Sequence, residues 1–176
     1  MTTANKNLPL LESWMPSPLG RLYLFASKHS IVGVAFKANR DRVLSHLQQH
    51  GYKPGAGTDV EMATVTACRD ALEAWFKDPG FKFKTPVKMV GTEFQKSVWR
   101  ALKRIKPGQR ETYATLAIKT GRSSLAARAV GSANARNPLA IFVPCHRVTG
   151  AKGKLKGFSG GLAVARKLSI HEGVAP

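Results

Sequence analysis

Two helical patterns, 112–120 and 124–135, are held apart only by Gly121-Arg122-Ser123, and this stretch constrains the fold more than any other. So short a connection, with a glycine in it, sets the two helices against one another as a helix-turn-helix. The second helix adds a restriction. Ala126, Ala127, Ala129, Gly131, Ser132 and Ala133 are all small, and Arg128 stands among them. Such a face either packs tightly inside the protein, with Arg128 in a surface ion pair, or closely approaches some other surface.

Charge bears on that choice. The chain carries 28 Lys and Arg against 10 Asp and Glu, a formal net charge of +18. The excess is uneven: residues 1–90 hold 12 bases and 7 acids, whereas 91–176 hold 16 and 3. A surface of that sign gains from a polyanion by counterion release and steering, which points to nucleic acid. An acidic membrane surface and simple solubility are the other readings of the same charge.

The division at 90/91 has local support. Thr92-Glu93-Phe94-Gln95 is a capping-box pattern, in which Thr92 and Gln95 satisfy backbone donors at a helix start. Phe94, Val98, Leu102 and Ile105 then recur at helical spacing until Pro107-Gly108 ends the pattern. We therefore expect two domains, 1–90 and 91–176. In the first, 21–26 and 31–36 read as strands of a hairpin around Ser27-Lys28-His29-Ser30. A short helix is predicted over 41–50 and a linker over 51–57. Val65, Cys68, Leu72, Trp75 and Phe76 mark one apolar helix face, which makes Cys68 a core residue. His46 and His50, four apart, have no third metal ligand of suitable spacing nearby and read as a polar helix face.

No run approaches the roughly 20 apolar residues that span a bilayer, and the polar start lacks a signal peptide's hydrophobic stretch. The expectation is a cytoplasmic protein without membrane attachment, with both cysteines as reduced thiols. The apolar run 139–143 reads as a buried strand and leads into Pro144-Cys145-His146-Arg147. A thiol reacts as thiolate, which nearby imidazole or cationic groups favour. Successive strand residues point to opposite faces, so His146 reaches Cys145 only if the backbone turns here or a water bridges them. Pro144 makes such a turn plausible. The other reading is a buried thiol beside an exposed histidine.

Pro144-Cys145-His146-Arg147-Val148 resembles the active-site signature of the O6-alkylguanine-DNA alkyltransferases. Thr112-Tyr113, Arg128-Ala129-Val130-Gly131, Asn137-Pro138, Phe158-Ser159-Gly160-Gly161 and His171-Glu172-Gly173 follow in that family's order and spacing. The similarity covers 91–173; before Gly91 it rests on size and on strand-then-helix order. It implies an α/β (α+β) fold: an N-terminal ribonuclease-H-like domain, a small antiparallel sheet with helices, and a mainly helical C-terminal domain with a winged-helix-like helix-turn-helix.

The resemblance also implies a function: single-turnover transfer of an alkyl group from O6-alkylguanine in duplex DNA to Cys145, with no cofactor; no metal is expected either, because residues 1–90 have Cys68 alone and lack the cysteines that certain relatives use for a structural zinc. O4-alkylthymine is a further candidate substrate. The helix-turn-helix would bind from the minor groove through Thr112, Tyr113, Ala126, Ala127, Arg128, Ala129 and Gly131. Arg128 would enter the stack vacated by the extruded nucleotide, and Tyr113 would crowd the adjoining phosphate. In the pocket, Tyr113 and Ser159 would donate to the guanine while the carbonyls of Cys145 and Val148 accept from its exocyclic amine. His146, oriented by Glu172, would deprotonate Cys145 through a water, and Asn137 would brace the turn.

Two positions depart from many relatives. Phe158 stands where a tyrosine forms the pocket wall, which keeps the wall and removes a hydroxyl. Gly160 stands where some bacterial relatives carry a bulky residue, which suggests room for larger adducts. The protein is expected to act as a monomer, with clustering on DNA left open. A non-catalytic alkyltransferase-like damage binder is the runner-up, although such binders lack the cysteine. A Cys-His hydrolase lacks a separate oxyanion motif and leaves the basic half unexplained.

Overall fold

The computed structural model describes residues 7–155 and 157–174, without the side chain of Lys152. Lys156 and the Lys152 side chain, two members of the basic 152–156 loop, lie outside the described residues. Contacts divide the chain into two compact units, Met1–Val90 and Gly91–Pro176.

The first unit is built on a four-stranded sheet of β1 (Leu8–Met15), β2 (Leu22–Ser27), β3 (Ser30–Phe36) and β4 (Tyr52–Gly55), in the order β3-β2-β1-β4. The expected hairpin is β2–β3, antiparallel, with Leu24 opposite Val34. β1 pairs antiparallel with β2, and β4 joins its other side in parallel. The segment 51–57, expected as a linker, is therefore corrected: Tyr52–Gly55 is an edge strand. Its Lys53-Pro54-Gly55 sequence carries no β signal, but a strand at the edge needs only one ladder, and Pro is tolerated there.

Both faces of the sheet are covered. α1 (Arg40–Gln49) sets Val43 and Leu47 into a cluster with Leu10, Phe25, Val32 and Ala35. Gly33 permits the close approach, since a Cβ there would lie 2.9 Å from Phe25 and 3.1 Å from Val43. α2 (Asp59–Lys77) buries Val65, Cys68, Leu72 and Trp75 against β1, β2 and β3, so the expected apolar face is the one that packs. Glu61 is buried at its start. Its carboxylate accepts from the Thr58 and Lys28 amides at 2.9 and 2.7 Å, tying the helix to the hairpin turn. His46 donates to the Val90 carbonyl at 2.7 Å, and the His50 ring contacts the His46 carbonyl at 2.8 Å.

The second unit is mainly helical: α3 (Glu93–Leu102), α4 (Tyr113–Lys119), α5 (Ala127–Ala135) and α6 (Leu162–His171), with β5 (Glu111–Thr112) parallel to β6 (Val148–Thr149). The capping box is present in both directions: Thr92 Oγ1 accepts from Gln95 N at 3.2 Å, and Gln95 Oε1 from Thr92 N at 2.9 Å. α4 and α5 form the expected helix-turn-helix. Gly121 sits in the turn at φ +75°, a left-handed conformation that costs glycine little. A 3-10 turn, Ser124–Ala126, leads into α5. α3 locks onto α5 through buried Trp99, whose indole donates to the Ala133 carbonyl at 2.9 Å.

Candidate active site

The run 139–143 is buried but is not a strand. Val143 N donates to Leu139 O at 2.8 Å and Phe142 N to Ala140 O at 2.9 Å, so the backbone coils back on itself. Ile141 takes φ +72° at the apex, a conformation unfavourable for a β-branched side chain. A continuous apolar run marks burial and not conformation, which is why the strand reading failed. Asn137 holds the coil together: its Nδ2 donates to Val143 O at 2.8 Å, and its Oδ1 accepts from Leu139 N at 2.9 Å.

The chain turns directly after Pro144, where Cys145–Arg147 form a 3-10 turn capped by the Val148 amide donating to the Cys145 carbonyl. Cys145 and His146 therefore do not alternate as strand neighbours would. Cys145 is 5% exposed and His146 1%, so the reading of an exposed histidine is excluded. His146 Nε2 lies 3.0 Å from Glu172 Oε1, brought in at the end of α6.

Arg147 completes the cluster; the sequence marks it as a cation next to the thiol but gives it no place among the site residues. Its Nε and Nη2 donate to the two oxygens of Glu172 at 2.9 and 2.6 Å, and its Nη1 donates to the Ile105 carbonyl. Burial alone would raise the Glu172 carboxyl, but the hydrogen bonds from His146 and Arg147 outweigh it and hold the group down to about 2. His146 is lowered from 6.5, by burial first, against the opposing pull of Glu172. The stable arrangement is a carboxylate facing a neutral imidazole. Because a carboxylate only accepts, the imidazole proton sits on Nε2, leaving Nδ1 a buried acceptor with no hydrogen-bond partner among the described residues.

Tyr113 begins α4, whose cap is Thr112 Oγ1 accepting from Thr115 N at 3.1 Å. The phenol is raised above its ordinary 10 by burial and next by the Cys145 sulfur, while a hydrogen bond with Asn134 opposes. It stays a proton donor. Asn134, a buried polar position on α5, was also missed; a polar residue beside Val130 and Ala133 on the packed face was its only signal.

A cavity of about 690 Å³ opens between α4, α5 and the loop after β6, lined among others by Thr112, Tyr113, Ala127, Arg128, Gly131 and Gly157. It thus gathers five of the residues expected at a nucleic-acid surface. Ala126 is half-buried and Ala129 exposed on the same helix-turn-helix. Val148 is buried in β6. Phe158 and Ser159 are half-buried and Gly160 buried in a turn closed by Gly161 N donating to Phe158 O at 2.9 Å.

Comparison with known proteins points to one family. The profile of the family described as "6-O-methylguanine DNA methyltransferase, DNA binding domain" matches residues 93–174. A methylated-DNA–protein-cysteine methyltransferase of Methanosarcina acetivorans is 40% identical over 157 residues, 89% of this chain and 94% of that protein. Its counterpart in Mycobacterium leprae is 41% identical over 149 residues, 83% and 88% of the two chains. Among solved structures, the Mycobacterium tuberculosis O6-methylguanine methyltransferase is 33% identical, with a TM-score of 0.74 over 95% of each chain. A structure of M. tuberculosis OGT in complex with DNA is 32% identical, with a TM-score of 0.74 over 93% of each chain. With identity of this level running through both units, the chain belongs to the methylated-DNA–protein-cysteine methyltransferase family.

Proposed function

We propose that the chain repairs duplex DNA by transferring the alkyl group of O6-alkylguanine to Cys145 Sγ, once per molecule, with O4-alkylthymine as a further substrate. The carrying observation is the buried turn in which Cys145 is followed directly by His146, whose Nδ1 has no hydrogen-bond partner among the described residues while Glu172 holds Nε2. Nδ1 accepts the thiol proton, directly or through one water. The thiolate attacks the alkyl carbon, the carbon–oxygen bond breaks, and its electron pair goes to the guanine oxygen. Tyr113 donates to the base ring nitrogen and Ser159 to that oxygen, while the Cys145 and Val148 carbonyls accept from the exocyclic amine. The product is a thioether with no hydrolytic exit.

DNA contact and alkyl acceptance are assigned to 91–176 and a structural role to 1–90. The small residues of α5 let its backbone approach the minor groove, and Arg128 fills the space of the extruded nucleotide, offsetting part of an unstacking cost of about a few kcal/mol. A reduced nucleophilic thiol fits a protein acting in the cytoplasm, where the chain is expected to work as a monomer. Gly160 leaves room for bulky adducts, and free O6-benzylguanine is expected to inactivate the protein.

The test is intact-protein mass after mixing with a duplex containing O6-methylguanine, beside a Cys145→Ala control. One added methyl group on wild type alone, mapped to Cys145, supports the reading. Binding without a mass change in either protein would turn it into that of a non-catalytic damage binder.

A further inference from the structure

The second unit has 16 Lys and Arg but three acids, and each acid is already engaged. Glu93 pairs with Lys96, Glu111 with Lys119, and Glu172 with Arg147 and His146. The three carboxylates are thus all taken among the described residues, Glu93 being shared between Lys96 and Arg100. Four of them, Arg100, Lys103, Arg104 and Lys106, are exposed and crowd the end of α3 and the turn beyond it. The helix dipole favours a cation in the last turn and so accounts for Arg100. It does not account for three more past the last helical residue, which make no ion pair among the described residues.

Their direction matters as much as their number. At about 100° per residue, Glu93, Lys96 and Arg100 share one side of α3, with exposed Lys103 and Arg104 in the turn directly after it, and buried Val98, Trp99, Ala101 and Leu102 share the other. That buried side faces α5, through Trp99 and Ala133. α5 in turn buries Val130, Ala133 and Asn134 and exposes Arg128, Ala129, Ser132 and Arg136. The cationic stripe and the exposed side of α5 thus lie on opposite sides of one helical layer, and a stiff duplex against α5 does not reach both.

We propose that the solvent side of α3 is a second DNA-binding surface, which takes the phosphate backbone of a duplex segment other than the one held by α5. It rests on the reading that DNA is the partner. Phosphates supply the regularly spaced negative charge that matches this excess of cations, and without base contacts the surface has no sequence preference. A molecule engaged at a lesion on one segment would tether another beside it.

The experiment uses the full chain loaded on an immobilised duplex containing O6-methylguanine, followed by a labelled, undamaged duplex too short to wrap around the protein. Wild type is expected to capture the second duplex, with capture falling steeply as salt rises. The variant Arg100→Gln/Lys103→Gln/Arg104→Gln/Lys106→Gln is expected to capture it at least ten-fold less. It should still load onto the first duplex and methylate Cys145 at the wild-type rate when DNA saturates. A control with the same charge change on the first unit, Lys53→Gln/Lys82→Gln/Lys84→Gln/Lys88→Gln, is expected to capture like wild type. Wild type capturing no second duplex, the α3 variant capturing as much as wild type, or the control losing as much as the α3 variant would each overturn the proposal. Capture without mass gain on Cys145 strikes the proposed function instead and leaves the α3 surface standing.

Discussion

At the scale of single residues, the chemistry turns on an imidazole that burial keeps uncharged, while an ion pair fixes which of its nitrogens bears the proton. Arg147 holds Glu172 ionised, and Glu172 in turn fixes the proton of His146 on Nε2. His146 sits below its ordinary 6.5, so it is the neutral, proton-accepting form at neutral pH. Single-turnover transfer, followed by intact mass between pH 5 and 8, should be flat near neutrality and fall only below 6.5, as the imidazole charges. Stability follows the same sign: a depressed histidine contributes above 6.5, and the contribution is lost as pH falls through its folded value. Glu172, brought from 4.5 to about 2, adds stability above 4.5 that is lost on the way down to 2. Replacing Arg147 by Ala leaves Glu172 with one partner and removes a cation that lowers His146. Breaking a buried pair should cost about 3–5 kcal/mol in denaturant melts. The acid limb of the surviving activity should move to higher pH; an unmoved limb would show that Arg147 only packs.

Elements differ in how well the chain announces them. α3 was legible because Thr92 and Gln95 write its start into the local sequence, and the α4–α5 pair because Gly121 must sit between them. β4 was not, since Tyr52–Gly55 owes its conformation to a partner about forty residues upstream. Arg147 was visible beside Cys145, but its partner Glu172 lies in a different element and their meeting is purely tertiary. Gly131 of α5 offers a prediction at this scale. A Cβ there would sit 3.7 Å from the Tyr113 ring, an ordinary contact, so Gly131→Ala should stabilise the helix by about 0.5–1 kcal/mol. Gly131→Leu should instead weaken DNA binding many-fold, because the longer side chain keeps the backbone from the groove. Thermal melts and a binding titration on both variants separate the two effects.

For the whole molecule, the two thiols divide cleanly. Cys68 is buried in the first unit, and burial pushes it up to about 12, so it stays protonated and inert. Cys145 stands in a turn directly before His146, whose Nδ1 has no hydrogen-bond partner among the described residues. Peptide mapping after reaction with damaged DNA should place every added alkyl group on Cys145, and iodoacetamide should label Cys68 only once the chain is denatured. A modified Cys68 in native protein would mean that the first unit opens far more readily than its core implies.

Ile141 carries a mutational signature. At nearly every other core position glycine is among the worst replacements, because it forfeits side-chain burial and adds chain entropy in the unfolded state. Here the native φ of +72° already costs a β-branched residue about 1–3 kcal/mol, and glycine returns that strain as it loses the packing. In a saturation library scored for abundance, position 141 should rank Gly and Asn unusually close to Ile and place Val well below them, an inversion that a well-packed but unstrained site would not produce.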